Sequence, residues 1–289
     1  MWVSKKPVAV LLVLGIAAVA GVIAAVNSMG SSIKSINLPR IGPACVVSAD
    51  GGEVALDTVQ MANAATITAV GVIRKMPERA IVVALATALQ ESKLENLEHG
   101  DRDSLGLFQQ RPSQGWGKPD QLVDPRYSSK KFYSSLKRVK GWQNMRVTDA
   151  AQRVQKSAYP EAYQKWAEEA EVLAKALTGK ATGAVACTIT GEPAMRGQTA
   201  IRKVTAGLKL DWGRGLGQPV TQPTGLTLAI SNIDTGWRYA HWLVSHARDT
   251  GLERVRFADL EWHAPTGKWQ PVTDDRKAGN AHVVVEVFS

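Results

Sequence analysis

The chain has 289 residues, 45% of them hydrophobic and 21% charged, and 35 Lys and Arg against 26 Asp and Glu give a formal net charge of +9. That length accommodates two modest domains, and the composition excludes a wholly disordered chain. Two cysteines exclude a disulfide-dense scaffold and a four-cysteine zinc site, while the excess of cations favours anionic surroundings: nucleic acid, lipid headgroups or an acidic wall polymer.

Residues 7–26 read PVAVLLVLGIAAVAGVIAAV, a run without charge that as a helix would span roughly 30 Å, the thickness of a bilayer's hydrocarbon core. Lys5 and Lys6 precede it and the next charge is Lys34, so the positive-inside rule sets the N-terminus in the cytoplasm. The expectation is a cytoplasmic tail at 1–6, a single-pass membrane anchor at 7–26 and an extracytoplasmic remainder. The alternative is secretion after signal cleavage, although Ala18-Val19-Ala20, the small-x-small candidate, lies inside the apolar run. Either topology argues against nucleic acid as a partner, and no basic reading helix is present.

Residues 27–44 are punctuated by Ser, Gly and Pro and read as a linker. A small hairpin follows: CVV, a turn at Asp50-Gly51-Gly52, then EVAL. Apolar periodicity predicts helices over 57–73 and 78–97, a loop region over 100–125, and further helices over 126–139, 148–157 and 161–178. Cys45 and Cys187 bracket this first domain, 45–187. An oxidising exterior favours their pairing, with two free thiols as the alternative. After a linker at 188–197, residues 198–289 read as a small α/β domain. Its expected elements are helices over 199–208 and 235–250 and strands over 226–230, 255–260 and 282–288, with a turn at Pro265-Thr266-Gly267. The fold class expected is α+β.

On the helix 78–97, a rotation of about 100° per residue aligns Ala80, Ala84, Thr87, Ala88 and Glu91 beside an arc of large apolar residues. A carboxyl partly withdrawn from water there would have a raised pKa, the property a general acid needs to protonate a glycosidic oxygen. By pattern alone, an exposed glutamate near a helix end is the more ordinary reading.

Sequence context adds to this. ATALQES at 86–92, followed by DSLGLFQQRP at 103–112, resembles the lysozyme-like lytic transglycosylases, whose signature is Gln-Glu-Ser on a helix and a downstream Gly-Leu-Met-Gln. Here Gly106-Leu107-Phe108-Gln109 puts Phe where that signature has Met. The longer run, extending through DPRYSSKKFY and VQKSAYPEAYQKW, resembles exported actinobacterial lysozyme-like proteins over residues 45–187. The resemblance implies pairing of Cys45 with Cys187 and cleavage of the β-1,4 bond between N-acetylmuramic acid and N-acetylglucosamine in peptidoglycan. It gives Glu91 the catalytic acid position, and Ser92, Gly106, Leu107, Phe108 and Gln109 the shaping of the glycan cleft. Tyr159 falls where an active-site tyrosine is often found, and Trp116 could stack on a sugar or simply pack. A two-carboxylate hydrolysis needs a second acid within about 5–9.5 Å. Glu95, Glu98, Asp101 and Asp103 are the candidates, Glu95 being expected on Glu91's helix face. A lytic transglycosylase, towards which the resemblance tilts, needs none.

In the second domain, QPTGLTLAI at 222–230 and AHVVVEV at 281–287 resemble relatives of zinc-dependent D-Ala-D-Ala carboxypeptidases. The positions of the metal-binding residues fall on Gln222, Ala229, Ala281 and Val284, while only Pro223, Gly225 and His282 match that pattern. Those positions offer no zinc ligand set, so neither metal nor other cofactor is expected. His241, His246 and His263 are read as solvated or packed, since His241 and His246 are five apart rather than four. The expected partners are peptidoglycan glycan strands, the cytoplasmic membrane through residues 7–26, and envelope proteins. The competing class is a non-catalytic wall-binding or assembly component of an envelope-spanning machine, such as a conjugation apparatus.

Overall fold

Alternating burial along Cys45–Ala49 (β1) and Gly52–Leu56 (β2) turns Cys45, Val47, Ala49, Val54 and Leu56 inward, and the strands pair antiparallel as the expected hairpin. Asp50 and Gly51 both take positive φ, the backbone that a tight two-residue hairpin turn requires. The computed structural model describes residues 44–272 and 279–289. The expected tail 1–6, the apolar span 7–26 and all but the last residue of the linker 27–44 lie outside them. Among the described residues, no helix is long and apolar enough to cross a membrane.

Asp57 caps the helix Thr58–Ile73 (α1), its carboxylate accepting from the Val59 and Gln60 amides while Gln60 returns a bond to the Asp57 N–H. The helix Glu78–Ser92 (α2) starts after Pro77 and buries every side chain from Ala80 to Leu89. It ends five residues before its expected limit. Lys93 and Leu94 are both left-handed, at φ 57° and 63°, and Leu94 is fully buried. Anchoring that leucine in the core turns the chain out of the helix. Glu95 therefore leaves Glu91's helix face and is exposed, contrary to expectation.

The short helix Pro119–Leu122 (α3) leads into Pro125–Leu136 (α4), Val147–Gln155 (α5) and Ala167–Leu177 (α6). Helix α2 packs on α1, α4, α5 and α6. The strand Val185–Cys187 (β3) then returns to the other edge of β1, giving the order β2-β1-β3 with Cys45 opposite Cys187. The two are joined, as expected, in a disulfide.

The C-terminal part begins with helix Gly197–Trp212 (α7), strands Val220–Gln222 (β4) and Gly225–Ala229 (β5), and helices Ile233–Ser245 (α8) and Ala247–Thr250 (α9). Strands Leu252–Ala258 (β6), Leu260–His263 (β7), Lys268–Pro271 (β8) and Gly279–Val287 (β9) complete an antiparallel sheet of order β4-β5-β9-β6-β7-β8. The mixed α+β class follows. Helix α8 lies on β6 and β9, with Gly236 so close to the Phe257 ring that a Cβ would strike it. It also packs on α1, α6 and β3.

Polar side chains pin α8 in place. His241 is fully buried, its Nδ1 2.8 Å from the Ala176 carbonyl and its Nε2 2.9 Å from the Ala184 amide nitrogen. Since the amide must donate, Nε2 accepts and Nδ1 carries the proton: a neutral ring with both nitrogens engaged. Asp211 is equally enclosed. It accepts from Trp242 Nε1 at 2.7 Å and Thr66 Oγ1 at 3.0 Å and forms an ion pair with Arg126, tying α7, α8, α1 and α4 together.

Candidate functional site

Glu91 sits on the last turn of α2, partly withdrawn from water. Tyr163 Oη donates to its Oε1 at 2.6 Å, and Gln155 Nε2 approaches the same oxygen at 3.2 Å. Burial raises the carboxyl's pKa above its ordinary 4.5, with these two bonds pulling the other way. The buried Tyr163 hydroxyl is pushed well up, by burial first and then by Glu91, and so remains a donor. A carboxyl that holds its proton more tightly than usual, yet has donors ready for its ionised form, is equipped to give a proton and take one back.

The turn beyond the helix is built onto it. Ser92 Oγ lies 2.8 Å from the Leu107 carbonyl and 3.1 Å from that of Ala88, so the serine fastens the helix end to the 106–109 turn. Gly106 takes φ +72°, and a Cβ there would strike the Leu122 carbonyl oxygen. Both the sign of φ and the close approach require glycine. Its N–H donates to the Leu97 carbonyl at 2.7 Å. Leu107 and Phe108 are fully buried, and the Phe108 ring stacks on Phe132 with centroids 4.8 Å apart. Gln155 Nε2 also donates to the Phe108 carbonyl at 2.8 Å, so one amide spans the acid and the turn. Gln109 Nε2 turns back to the Gly106 carbonyl at 3.2 Å.

Glu91, Ser92 and Gly106 to Gln109 are thus brought together. Tyr159 is not: it is 76% exposed, and the tyrosine bonded to Glu91 is Tyr163. Pro160 breaks the helical phase between them, whereas Tyr163 shares a stripe with the buried Ala167, Ala170 and Ala174. That stripe was the available signal. Gln155 had one too, standing four residues beyond the buried Ala151 on α5. Trp166 is a further neighbour that sequence reasoning missed, its Nε1 donating to Gln90 Oε1 at 2.9 Å with Lys93 Nζ 3.6 Å from its ring centroid. Trp116 lines a cleft together with Tyr127, whose hydroxyl donates to the Trp116 carbonyl at 3.4 Å.

Among the candidate second carboxylates, Glu95, Glu98 and Asp101 are exposed. Asp103 is committed to the loop, receiving bonds from Arg111 Nε at 2.7 Å and from the Ser113 amide and hydroxyl at 2.7 and 3.0 Å. The Arg111 bond, foremost, holds its carboxyl well below the usual carboxylate range.

In the C-terminal part, Gln222 and His282 are exposed, Ala229 pairs with His282, and Val284 pairs with Thr227. His246 stacks on Trp242, while His263 is bonded to Glu261. Compared with known protein families and with curated proteins, the chain matches none of them.

Proposed function

We propose that the chain cleaves the β-1,4 bond between N-acetylmuramic acid and N-acetylglucosamine in peptidoglycan, with Glu91 as general acid. It would do so from a lysozyme-like domain over 45–187, anchored in the membrane by residues 7–26 with its bulk outside. The observation that carries the reading is the Glu91 carboxyl: partly buried, its pKa raised, and bonded by Tyr163 and Gln155 beside the 106–109 turn. Glu91 gives its proton to the glycosidic oxygen as that oxygen leaves the anomeric carbon. The substrate's own 6-hydroxyl oxygen then bonds to that carbon, and its proton returns to the Glu91 carboxylate, leaving a 1,6-anhydro end. Tyr163 steadies the carboxylate between the two transfers. This single-acid route is favoured over hydrolysis because Glu95, Glu98 and Asp101 face solvent and Asp103 is held by Arg111 and Ser113. The domain over 198–289 acts as a metal-free accessory.

Glu91→Gln keeps the side chain's shape but cannot donate the proton, so turnover of purified walls is expected to fall about 10²–10⁴-fold while glycan binding persists. Parental turnover by the variant would make Glu91 structural. Product mass separates anhydro from hydrolysed ends. Binding without turnover by either form would favour the wall-binding or assembly reading.

A further inference from the structure

A cleft of about 970 Å³ opens between the 114–116 turn, α4 and the end of α5. Its walls carry Lys130, Lys131, Arg138, Arg153 and Lys156 and no acidic side chain. None of these five cations joins a salt bridge among the described residues. Cations of one sign gathered in a concave surface focus a positive potential and concentrate anions. The lining is not purely charged. Val139, Val154 and the rings of Trp116 and Tyr127 supply apolar wall, with Lys131 Nζ 5.4 Å from the Tyr127 ring centroid. Gln155, between Arg153 and Lys156, lines this cleft and also bonds Glu91.

We infer that this cleft binds the carboxylate-bearing peptide stems of the glycan strand that is cut at Glu91. The inference rests on the reading of Glu91 as the acid. Gln155 belongs to both places, so whatever fills the cleft lies alongside the strand or hangs from it. Stem peptides hang from the muramic acid residues, and their carboxylates match the cations. Their aliphatic parts match the valines and rings, for which a bare phosphodiester chain has no counterpart. The cleft thus selects strands that still carry charged stems.

The full chain is tested on three preparations of one glycan: stems intact, stem carboxylates converted to amides, and stems removed. Intact strands should be cut with a kcat/KM about tenfold above amidated ones, the equivalent of two exposed ion pairs near the upper end of their usual strength. The preference should shrink as salt rises. K131Q/R153Q should bring the ratio close to one, and K131R/R153K should restore it, provided both variants melt as the parent does. Equal cutting of intact and amidated strands would overturn the inference. So would stronger competition by poly(glycerol phosphate) than by free stem peptide. If no preparation is cut, co-sedimentation with intact and amidated walls decides separately. A preference abolished by K131Q/R153Q keeps the cleft assignment while the cleavage reading falls, and no preference removes the assignment.

Discussion

At the scale of single residues, Tyr163 and Glu91 set opposing demands on one proton. Burial favours the neutral carboxyl, and the Tyr163 bond favours the ionised one. Tyr163→Phe removes only the second, so Glu91 should hold its proton to higher pH and the alkaline limb of the pH–rate profile should move up. Loss of a bond to a charged group, usually about 1.5–3 kcal/mol, should also cost about ten- to a hundredfold in kcat. An unmoved limb would show that Tyr163 acts by packing alone, and Tyr159→Phe, at an exposed position, should change neither quantity. Linkage carries a second sign. Below 4.5, folded and unfolded chains both hold the Glu91 proton; as pH rises from there to the elevated folded value, the unfolded chain releases it first, and the stability present at low pH is lost across that window. Glu91→Gln should therefore melt higher than the parent at neutral pH, with the gap narrowing as pH falls towards 4.5. The place of Glu91 beside Ser92 and the 106–109 turn was legible because these residues lie close in sequence. The tyrosine bonded to Glu91 was not, because the choice between Tyr159 and Tyr163 depends on an irregular turn around Pro160.

Element boundaries show the same division. The hairpin and α1 lie within a residue or two of expectation, since turn chemistry and a capping aspartate are written into the chain. The stop of α2 at Ser92 carries no such mark: neither Gly nor Pro follows, and only the tertiary burial of Leu94 accounts for it. Strands β4, β7 and β8 also went unread, each being only three or four residues long. The sheet bears on the metal question. The strand positions that would carry ligands hold Gln222, Ala229 and Val284, and both nitrogens of His241 are engaged by the backbone. Elemental analysis of the purified chain should find well under one zinc per molecule, and chelator should leave Tm unchanged. Stoichiometric zinc whose removal lowers Tm would overturn this.

Across the described residues, 44–272 and 279–289 form one compact unit, in which α8 packs on α1 and α6 as well as on its own sheet. His241 is the buried link. Its enclosure pushes its pKa from 6.5 down to about 4, so the ring stays neutral in the fold while the unfolded chain takes up a proton. The stability it gives is complete above 6.5 and drains away as pH falls towards 4. His241→Leu would strand the Ala184 amide and the Ala176 carbonyl. A loss of about 2–4 kcal/mol at neutral pH is expected, together with a flatter dependence of Tm on pH between those values. An unchanged slope would place the acid sensitivity elsewhere.

The disulfide spans 142 residues of sequence and joins neighbouring strands of a three-stranded sheet. A ribosome releases β1 and β2 early, and the β1 edge that β3 will cover stays open until nearly two-thirds of the chain has been made. During that interval the edge can recruit strands from other nascent chains. Cys45, waiting beside it, can meet a foreign thiol before its own. Where an oxidant is present to take the two electrons, crowding of unfinished chains therefore favours covalently crosslinked dimers, and a nonsense mutation between codons 46 and 187 makes that hazard permanent.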